Sequence, residues 1–292
     1  MRGVFGMLAA LCAVLALVAY LLGPPEAAPR NQRVAQPVEV QKSADGVLEV
    51  TLELEEGDFD IAPARAGKAI EVDAEYDESQ YELTPTYSAD SGKSPRFRCV
   101  FEHRARMRQL RSLVHGQRSS KGNRVRVTLP AGVPMDLRLH IRRGEAVLDL
   151  SGLSLRALEV DHAMGDTEVR FHEPNPIEME RLEIQSRMGE LTASGLGDAA
   201  ARDMKIEGLM GDLRLDFEGK WRTDTRAALE VTMGDARLRV PPDVGLEFSG
   251  RKVFLGALRT DRDTEPPDPE RAKETRTLHL HTRVSLGDLQ VR

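Results

Sequence analysis

The 292-residue sequence has few aromatic side chains and few cysteines. Aromatic residues make up 4% of the chain, so a core must consist mainly of Leu, Val, Ile, Met and Ala. Of the two cysteines, Cys12 lies in an apolar segment and Cys99 stands alone beyond it, which excludes an intrachain disulfide in the folded part. We expect Cys99 to be a buried or half-buried small apolar residue.

The sequence also lacks the motifs that mark common enzyme sites. It contains no nucleophile elbow, P-loop, dinucleotide-binding fingerprint or HExxH sequence, and no base recurs near the turn-like serines Ser151 and Ser194. We therefore predict a protein that is not an enzyme, with no catalytic residues and no cofactor. Its net charge of −6 does not indicate a nucleic-acid-binding protein.

The N-terminal segment is free of charge from Gly3 to Pro25, and Val4–Leu22 is almost entirely apolar. A helix of about 19 residues spans roughly 28 Å, close to the hydrocarbon thickness of a bilayer. No A-x-A cleavage site follows, which disfavours the alternative of a cleaved signal peptide. We predict a signal-anchor helix at 1–23, a linker at 24–46, and a folded domain held outside the cytoplasm on the cytoplasmic membrane.

From residue 47 onward, apolar and polar residues alternate, as in β-strands with one buried face. The alternation changes phase at a recurring glycine: Leu229 and Val231 are apolar before Gly234, and Ala236 and Leu238 are apolar after it. The glycines at this position are Gly57, Gly144, Gly165, Gly189, Gly211, Gly234, Gly256 and Gly287. From Gly144 to Gly256 their spacings are 21, 24, 22, 23 and 22 residues, which indicates a repeat architecture.

Two folds tolerate a phase change at each glycine. In a β-solenoid each unit is one coil and the glycine turns a corner, whereas in a meander the Gly-Asp pair forms a hairpin turn. The regular spacing favours the solenoid. We predict an all-β, solenoid-like domain of units of about 22 residues over 47–292, with charged insertions at about 96–126 and 261–276.

The chain from about Val47 to the C-terminus, and most strongly the segment Val133–Phe248, resembles the extracytoplasmic toastrack, or adhesin-like, β domains. The resemblance rests on Pro134, the "LDLSGL" of Leu148–Leu153, and the Met-Gly-Asp units. The segment is also similar to the C-terminal domain of LiaF-type cell-wall-active antibiotic response proteins. The resemblance implies a right-handed, β-rich solenoid-like domain that signals or scaffolds in envelope stress, without catalysis. LiaF proteins carry several membrane helices before this domain, so the likeness stops short of the membrane part.

A carboxylate follows the glycine in five units, at Asp166, Glu190, Asp212, Asp235 and Asp288. A repeated calcium site needs several oxygen ligands within short repeats, and one acid per unit is too sparse. Because Asp is a favoured turn residue, we expect these acids to serve the turns.

A methionine precedes the glycine in four units, as Met164, Met188, Met210 and Met233. Thioethers are ligands for a soft metal such as Cu(I), but the alternation assigns these residues to the inward side, where methionine fills core space. We therefore predict that they belong to the core.

Three histidines fall in the strand pattern. His279 and His281 are two residues apart and share a strand face, but no third metal ligand lies nearby in sequence, so we predict solvent-facing histidines and no metal site. His162 follows the apolar register, and we expect it to be packed at a strand edge.

Cations cluster between Arg96 and Arg126, where Glu102 is the one acidic residue. Met107, Leu110 and Val114 follow helical spacing, which is compatible with a short basic amphipathic helix. A solvated insertion loop is the alternative structure for this segment. We select Arg104, Arg106, Arg108 and Arg111 as candidate residues for binding an anionic membrane or envelope polymer. The sequence thus predicts a membrane-anchored envelope protein that binds or scaffolds, with an adhesin-like module as the alternative; the oligomeric state is left open.

Overall fold

The computed structural model describes residues 30–37, 46–64, 69–89, 94–104, 122–260 and 276–292. These residues form 21 strands and two sheets. In chain order the strands are β1 (Arg30–Pro37), β2 (Leu48–Glu56), β3 (Asp58–Pro63), β4 (Ala69–Tyr76), β5 (Tyr81–Ser88), β6 (Arg96–His103), β7 (Arg124–Leu129), β8 (Met135–Arg143), β9 (Ala146–Asp149), β10 (Leu155–His162), β11 (Thr167–Arg170), β12 (Met179–Met188), β13 (Leu191–Ser194), β14 (Ala201–Met210), β15 (Leu213–Asp216), β16 (Thr225–Met233), β17 (Ala236–Arg239), β18 (Gly245–Leu255), β19 (Leu258–Thr260), β20 (Thr277–Leu286) and β21 (Leu289–Val291).

The ten-stranded sheet has the order β18-β20-β16-β14-β12-β10-β8-β2-β6-β5, and the eleven-stranded sheet has the order β1-β4-β7-β3-β9-β11-β13-β15-β17-β21-β19. A typical coil is β14, a corner at Gly211, and β15. Equivalent strands of successive coils pair in parallel, as β12 does with β14 and β13 with β15. Parallel pairing is the arrangement of a solenoid and is incompatible with the hairpin alternative.

The core lies between the two sheets and consists of equivalent residues stacked in register. Leu158 pairs with Leu182, Leu182 with Met204, and all three side chains are buried. Aromatic side chains concentrate at the N-terminal end, where Phe101 stacks on Tyr81 with ring centroids 5.2 Å apart and meets Tyr76 edge to face. Cys99 is fully buried beside them, as expected, and burial raises the pKa of its thiol to about 12.

The coils do not follow one another in sequence order at either end. At the C-terminal end, β20 and β21 lie between the β16–β17 coil and the β18–β19 coil, so the coil of Gly256 is outermost. At the N-terminal end, β6 and β7 lie outside β2 and β3, and antiparallel pairing of β1, β4 and β5 closes that end. The regular repeat therefore occupies the middle of the domain.

Two predicted boundaries are wrong. Residues 30–37 of the predicted linker form β1, which pairs antiparallel with β4 at the edge of the eleven-stranded sheet. The predicted insertion at 96–126 begins with β6, which is a regular part of the ten-stranded sheet. Phe97, Cys99 and Phe101 of this strand are buried in the core. Residues 105–121 and 261–275 of the two insertions lie outside the described residues.

Within the residues described, no helix is long and apolar enough to span a membrane. The predicted signal-anchor at 1–23 falls outside the described residues.

Candidate binding surface at the glycine corner

The repeat glycines form one continuous file along the corner between the two sheets. At Gly144, where φ is +130°, a Cβ atom would lie 1.7 Å from the carbonyl oxygen of Gly57 in the neighbouring coil. At Gly211, where φ is +137°, it would lie 2.0 Å from the carbonyl oxygen of Gly189. Positive φ and this close approach of two backbones both require glycine, so the corner can repeat at one strand spacing.

The carboxylates after the glycines bind the backbone of the adjacent coil. Asp166 Oδ1 accepts a hydrogen bond of 2.8 Å from the backbone N–H of Glu190, and Asp235 Oδ1 accepts one of 2.9 Å from that of Asp288. Asp212 and Asp288 do the same for Asp235 and Ala257. These acids therefore fasten one corner to the next, which agrees with the turn role expected for them.

The four methionines before the glycines are exposed, so their assignment to the core is wrong. Met164, Met188, Met210 and Met233 expose 39%, 44%, 45% and 44% of their surface. The strands end on two successive outward residues, as the burial pattern of β12 shows for Arg187 and Met188. The period-two alternation of burial therefore stops two residues before the glycine, and the last strand residue, the methionine, faces outward.

The methionine row is continuous. Met188 pairs with Met210, Met210 with Met233, and Met233 with Leu286. Leu286 pairs with Leu255 of the outermost coil. We name the four methionines and these two leucines the corner row. The exposure of the corner row is the main surface feature that the sequence pattern misassigned, and the repetition of Met before Gly was its visible signal.

We define the basic segment as residues 104–121, and the described residues on either side of it lie at the same corner. The chain departs at Arg104, whose N–H donates to the carbonyl of Gln80, and the described chain resumes at Gly122 next to Asn123. The carbonyl of Asn123 in turn accepts from Asp58, directly after Gly57. Arg104 is exposed, whereas Arg106, Arg108 and Arg111 lie outside the described residues.

Three of the arginines that flank the basic segment pair with acids on the neighbouring strand. Arg98 donates from Nε and Nη2 to both oxygens of Glu53 at 2.9 and 2.8 Å. Arg96 pairs with Glu49, and Arg126 with Asp60. The cluster of cations seen in the sequence therefore divides into paired strand residues and the basic segment itself.

A charged cluster lies where β6 ends and the basic segment begins. Glu55 accepts 2.7 Å hydrogen bonds from the backbone N–H of His103 and from Arg142, and His103 Nε2 lies 3.7 Å from Glu56. Burial tends to raise the pKa of Glu55, but the His103 backbone bond and the nearby His103 and Arg142 charges together lower it. Glu55 thus holds the end of β6 to β2 and β8 through His103 and Arg142.

The sequence of the chain matches a family of known proteins. Residues 29–192, more than half of the chain, match the family model described as the N-terminal domain of toast_rack, DUF2154. The chain belongs to the toast_rack family. This confirms the toastrack resemblance, and the matched region begins one residue before β1, which the sequence had assigned to a linker.

Solved structures with a related arrangement share little sequence with this toast_rack chain. A candidate cell adhesion protein from Clostridium sporogenes is 13% identical, with a TM-score of 0.45 over 90% of this chain and 99% of that chain. A candidate adhesin from Bacteroides fragilis is 9% identical, with a TM-score of 0.41 over 90% of this chain and 97% of that chain. No curated protein matches the chain.

The outer face of the eleven-stranded sheet carries a shallow groove of about 670 Å³. Arg237 and Arg239 line it, but Arg237 lies 3.4 Å from Asp235 and Arg239 lies 2.6 Å from Glu218. Pairing of this kind satisfies the cations within the toast_rack domain itself.

The histidines occupy the places expected from the strand pattern. His279 is half exposed and its Nδ1 lies 2.9 Å from Glu247, and His281 lies on the same face. His162 ends β10 and is 1% exposed. Within the described residues, no three His, Cys, Asp or Glu side chains are grouped to hold a metal ion.

Proposed function

We propose that this toast_rack protein is a membrane-anchored, non-enzymatic module of the bacterial envelope that binds or scaffolds. Its basic segment would dock on the anionic surface of the membrane in which the N-terminal apolar segment inserts. A solenoid suits this role, because stacked coils present extended, stiff surfaces.

Charge distribution supports an anionic partner. The basic segment contains Arg104, Arg106, Arg108, Arg111, Arg118 and Lys121 and no acidic residue, although the whole chain carries a net charge of −6. Near an anionic leaflet each cation contributes about 1 kcal/mol of binding free energy. Three flanking arginines of β6 and β7 pair with acids of the neighbouring strands, whereas the sequence of the basic segment itself contains six cations and no acid.

The decisive observation is the position of β1. Asn31 of β1 pairs with Glu75 of β4, and Glu75 pairs with Arg124 at the start of β7. Two strand spacings, about 10 Å, therefore separate the beginning of β1 from the point where the basic segment rejoins the fold. The first described residues after the apolar segment thus lie near Arg124, two residues after the described chain resumes. An anchor in the membrane would bring the basic segment to the same membrane.

Vesicle binding tests this proposal with a chain that begins at Pro24, which lacks the apolar segment and keeps β1. It should bind vesicles that contain anionic lipid and leave neutral vesicles unbound. Binding should fall as salt rises, since the Debye length drops from about 10 Å at 0.1 M to about 3 Å at 1 M. Changing Arg104, Arg106, Arg108 and Arg111 to Gln should weaken binding at least about 100-fold at low salt.

A matched variant separates local docking from total charge. Replacing Arg214, Arg237, Arg239 and Arg292 by Gln removes the same four charges from the eleven-stranded sheet and should leave most of the binding. Both variants should keep the β-sheet circular dichroism spectrum of the parent. Equal loss of binding in the two variants, or no binding by the parent, would refute docking through the basic segment.

The LiaF resemblance supports a second role, in envelope-stress signalling, and an adhesin-like role on an envelope polymer is the alternative. Cross-linking in native membranes separates these roles by the partner that is captured. Capture of a sensor kinase would favour signalling, whereas capture of a wall polymer alone would favour the adhesin-like module.

A further inference from the structure

We propose that the methionines of the corner row form a binding site for a soft monovalent metal ion, of the class of Cu(I) or Ag(I). The site is centred on Met210, with Met188 and Met233 on either side and Met164 next to Met188. It is distinct from the basic segment and does not depend on the proposed membrane docking.

The described methionines divide into two sets by exposure. Met135, Met179 and Met204 are 0%, 0% and 3% exposed and pack in the core. All four methionines of the corner row expose 39% to 45% of their surface. Core packing therefore accounts for the first set, whereas each methionine of the second set presents about two fifths of its surface to solvent. Four consecutive coils place the same exposed thioether at the same position.

The parallel register brings these thioethers within reach of one ion. Met188, Met210 and Met233 are direct partners in the register, so neighbouring Cα atoms lie one strand spacing apart, about 4.8 Å. The carbonyl of Met188 accepts a hydrogen bond from the N–H of Gly165, which places Met164 next in the row. With metal–sulfur bonds of about 2.3 Å, the two outer sulfurs need to lean about 2.5 Å toward Met210. Methionine has three rotatable side-chain bonds, and exposed side chains are free to turn.

The chemistry of the row selects the class of ion. A thioether is a neutral, soft ligand that favours Cu(I) over hard cations such as Ca²⁺ or Mg²⁺. The acids two residues further along each coil do not enter the site, because Glu190 and Asp212 pair with Arg214 and Asp235 pairs with Arg237. The neutral thioethers alone therefore select a soft cation.

The same row continues with Leu286 and Leu255, which offers a second explanation for its exposure. An apolar strip that docks a partner would need the methionines for their apolar surface alone. Replacing Met by Leu keeps that surface and removes the sulfur, so the two explanations predict opposite outcomes for one variant.

Silver titration tests the site, because Ag(I) is soft, diamagnetic and stable in air. The full chain in detergent carries Cys12→Ala and Cys99→Ala so that no thiol competes, and its methionine methyl groups are labelled for NMR. We expect one equivalent of Ag(I) to shift the methyl resonances of Met188, Met210 and Met233 together. The variant M188L/M210L/M233L should bind Ag(I) at least tenfold more weakly in calorimetry.

The control removes the same number of sulfurs from the core. M135L/M179L/M204L should bind Ag(I) as tightly as the parent, and a native-like melting transition verifies the fold of each variant. The proposal fails if the corner-row variant binds like the parent, if both variants lose binding equally, or if Ag(I) shifts other methionines first. Unchanged silver binding in the corner-row variant would leave the apolar strip as the explanation of the row.

Discussion

The middle of the solenoid and its two ends follow different rules. From the β8–β9 coil to the β16–β17 coil, successive coils stack in sequence order, and every pairing between them is parallel. At the ends, the outermost coils are out of sequence order, and β1, β4 and β5 pair antiparallel. The middle is therefore a regular repeat, whereas each end departs from the repeat where the last coil has no further coil to stack on.

This difference shows what a capped solenoid requires. Each coil can bury its inner face against its neighbours, but the last coil has an open edge, and open strand edges promote unwanted pairing. At the N-terminal end, the antiparallel strands and the aromatic contacts of Phe101 with Tyr76 and Tyr81 provide a closure unlike any middle coil. At the C-terminal end, β18 and β19 are the edge strands of the described residues, with Phe254 79% exposed.

The sequence predicts the middle well because its signals are local. Alternation at Leu182 and Ile184, a phase change at Gly189 and a spacing near 22 residues describe one coil, and identical coils can stack in one way. The ends could not be read in this manner. The segment between Gly256 and Gly287 can connect coils in either spatial order, because a longer loop costs little additional closure entropy. Its sequence therefore does not reveal which of the last two coils is outermost. Alternation also says nothing about partner strands, so β1 looked like a linker.

The candidate site shows the same limit on a smaller scale. Period-two alternation placed Met164 and its equivalents inside, because it counts residues and carries no information about the bend at the corner. Exposure of the corner row follows from backbone direction over a single residue, which depends on the stacked coils. The basic segment, by contrast, was visible from composition, although its neighbours Arg96, Arg98 and Arg126 proved to be paired strand residues.

The largest effect that separates middle from end is expected at the glycine corner. Gly211→Ala places a Cβ 2.0 Å from the Gly189 carbonyl at φ +137°. Gly122→Ala at the N-terminal end has the same φ, and among the described residues no atom lies within 4 Å of its Cβ. Strain at such a φ costs roughly 1–3 kcal/mol, and the clash adds to it at Gly211 alone. We expect Gly211→Ala to lower the free energy of unfolding by more than about 4 kcal/mol.

Urea unfolding of both glycine variants measures the comparison. Gly122→Ala should lose at most about 3 kcal/mol, which is the cost of φ strain without a clash. Similar losses for the two variants would mean that the close approach of coils in the middle does not determine the need for glycine.

A smaller difference is expected at two buried asparagines. Asn175, fully buried in the middle, binds both the N–H and the carbonyl of Leu155 in one neighbouring coil and the carbonyl of Ala199 in the other. Asn123, near the N-terminal end, donates one hydrogen bond of 3.2 Å to the carbonyl of Glu56. Asn175→Ala leaves several buried backbone groups unsatisfied and should cost about 2–4 kcal/mol, against about 1 kcal/mol for Asn123→Ala. Thermal unfolding that ranks Asn123→Ala as the more damaging change would contradict this account.

The smallest change in the free energy of unfolding at neutral pH is expected at His162. This polar residue lies in the core of the middle coils, and its partner in the adjacent coil is Ile141. Its Nδ1 lies against the hydroxyl of Thr167, and its Nε2 has no hydrogen-bond partner. Burial, the largest influence, lowers the pKa of His162, and it outweighs the opposing effects of the Met164 and Gly144 backbone and of Asp166 and Asp161.

The lowered pKa fixes the sign of the pH dependence. Below the ordinary histidine pKa of about 6.5, His162 binds a proton in the unfolded chain, whereas in the folded chain it binds this proton only at lower pH. The free energy of unfolding should therefore fall as pH drops from about 6.5 toward the folded-state pKa, and His162 should contribute no slope above about pH 7.5. His162→Ile, which copies the neighbouring coil, should flatten this part of the profile. Urea unfolding of both chains between pH 5 and pH 8 measures the difference, and parallel profiles would show that His162 takes up its proton equally in the folded and unfolded chains.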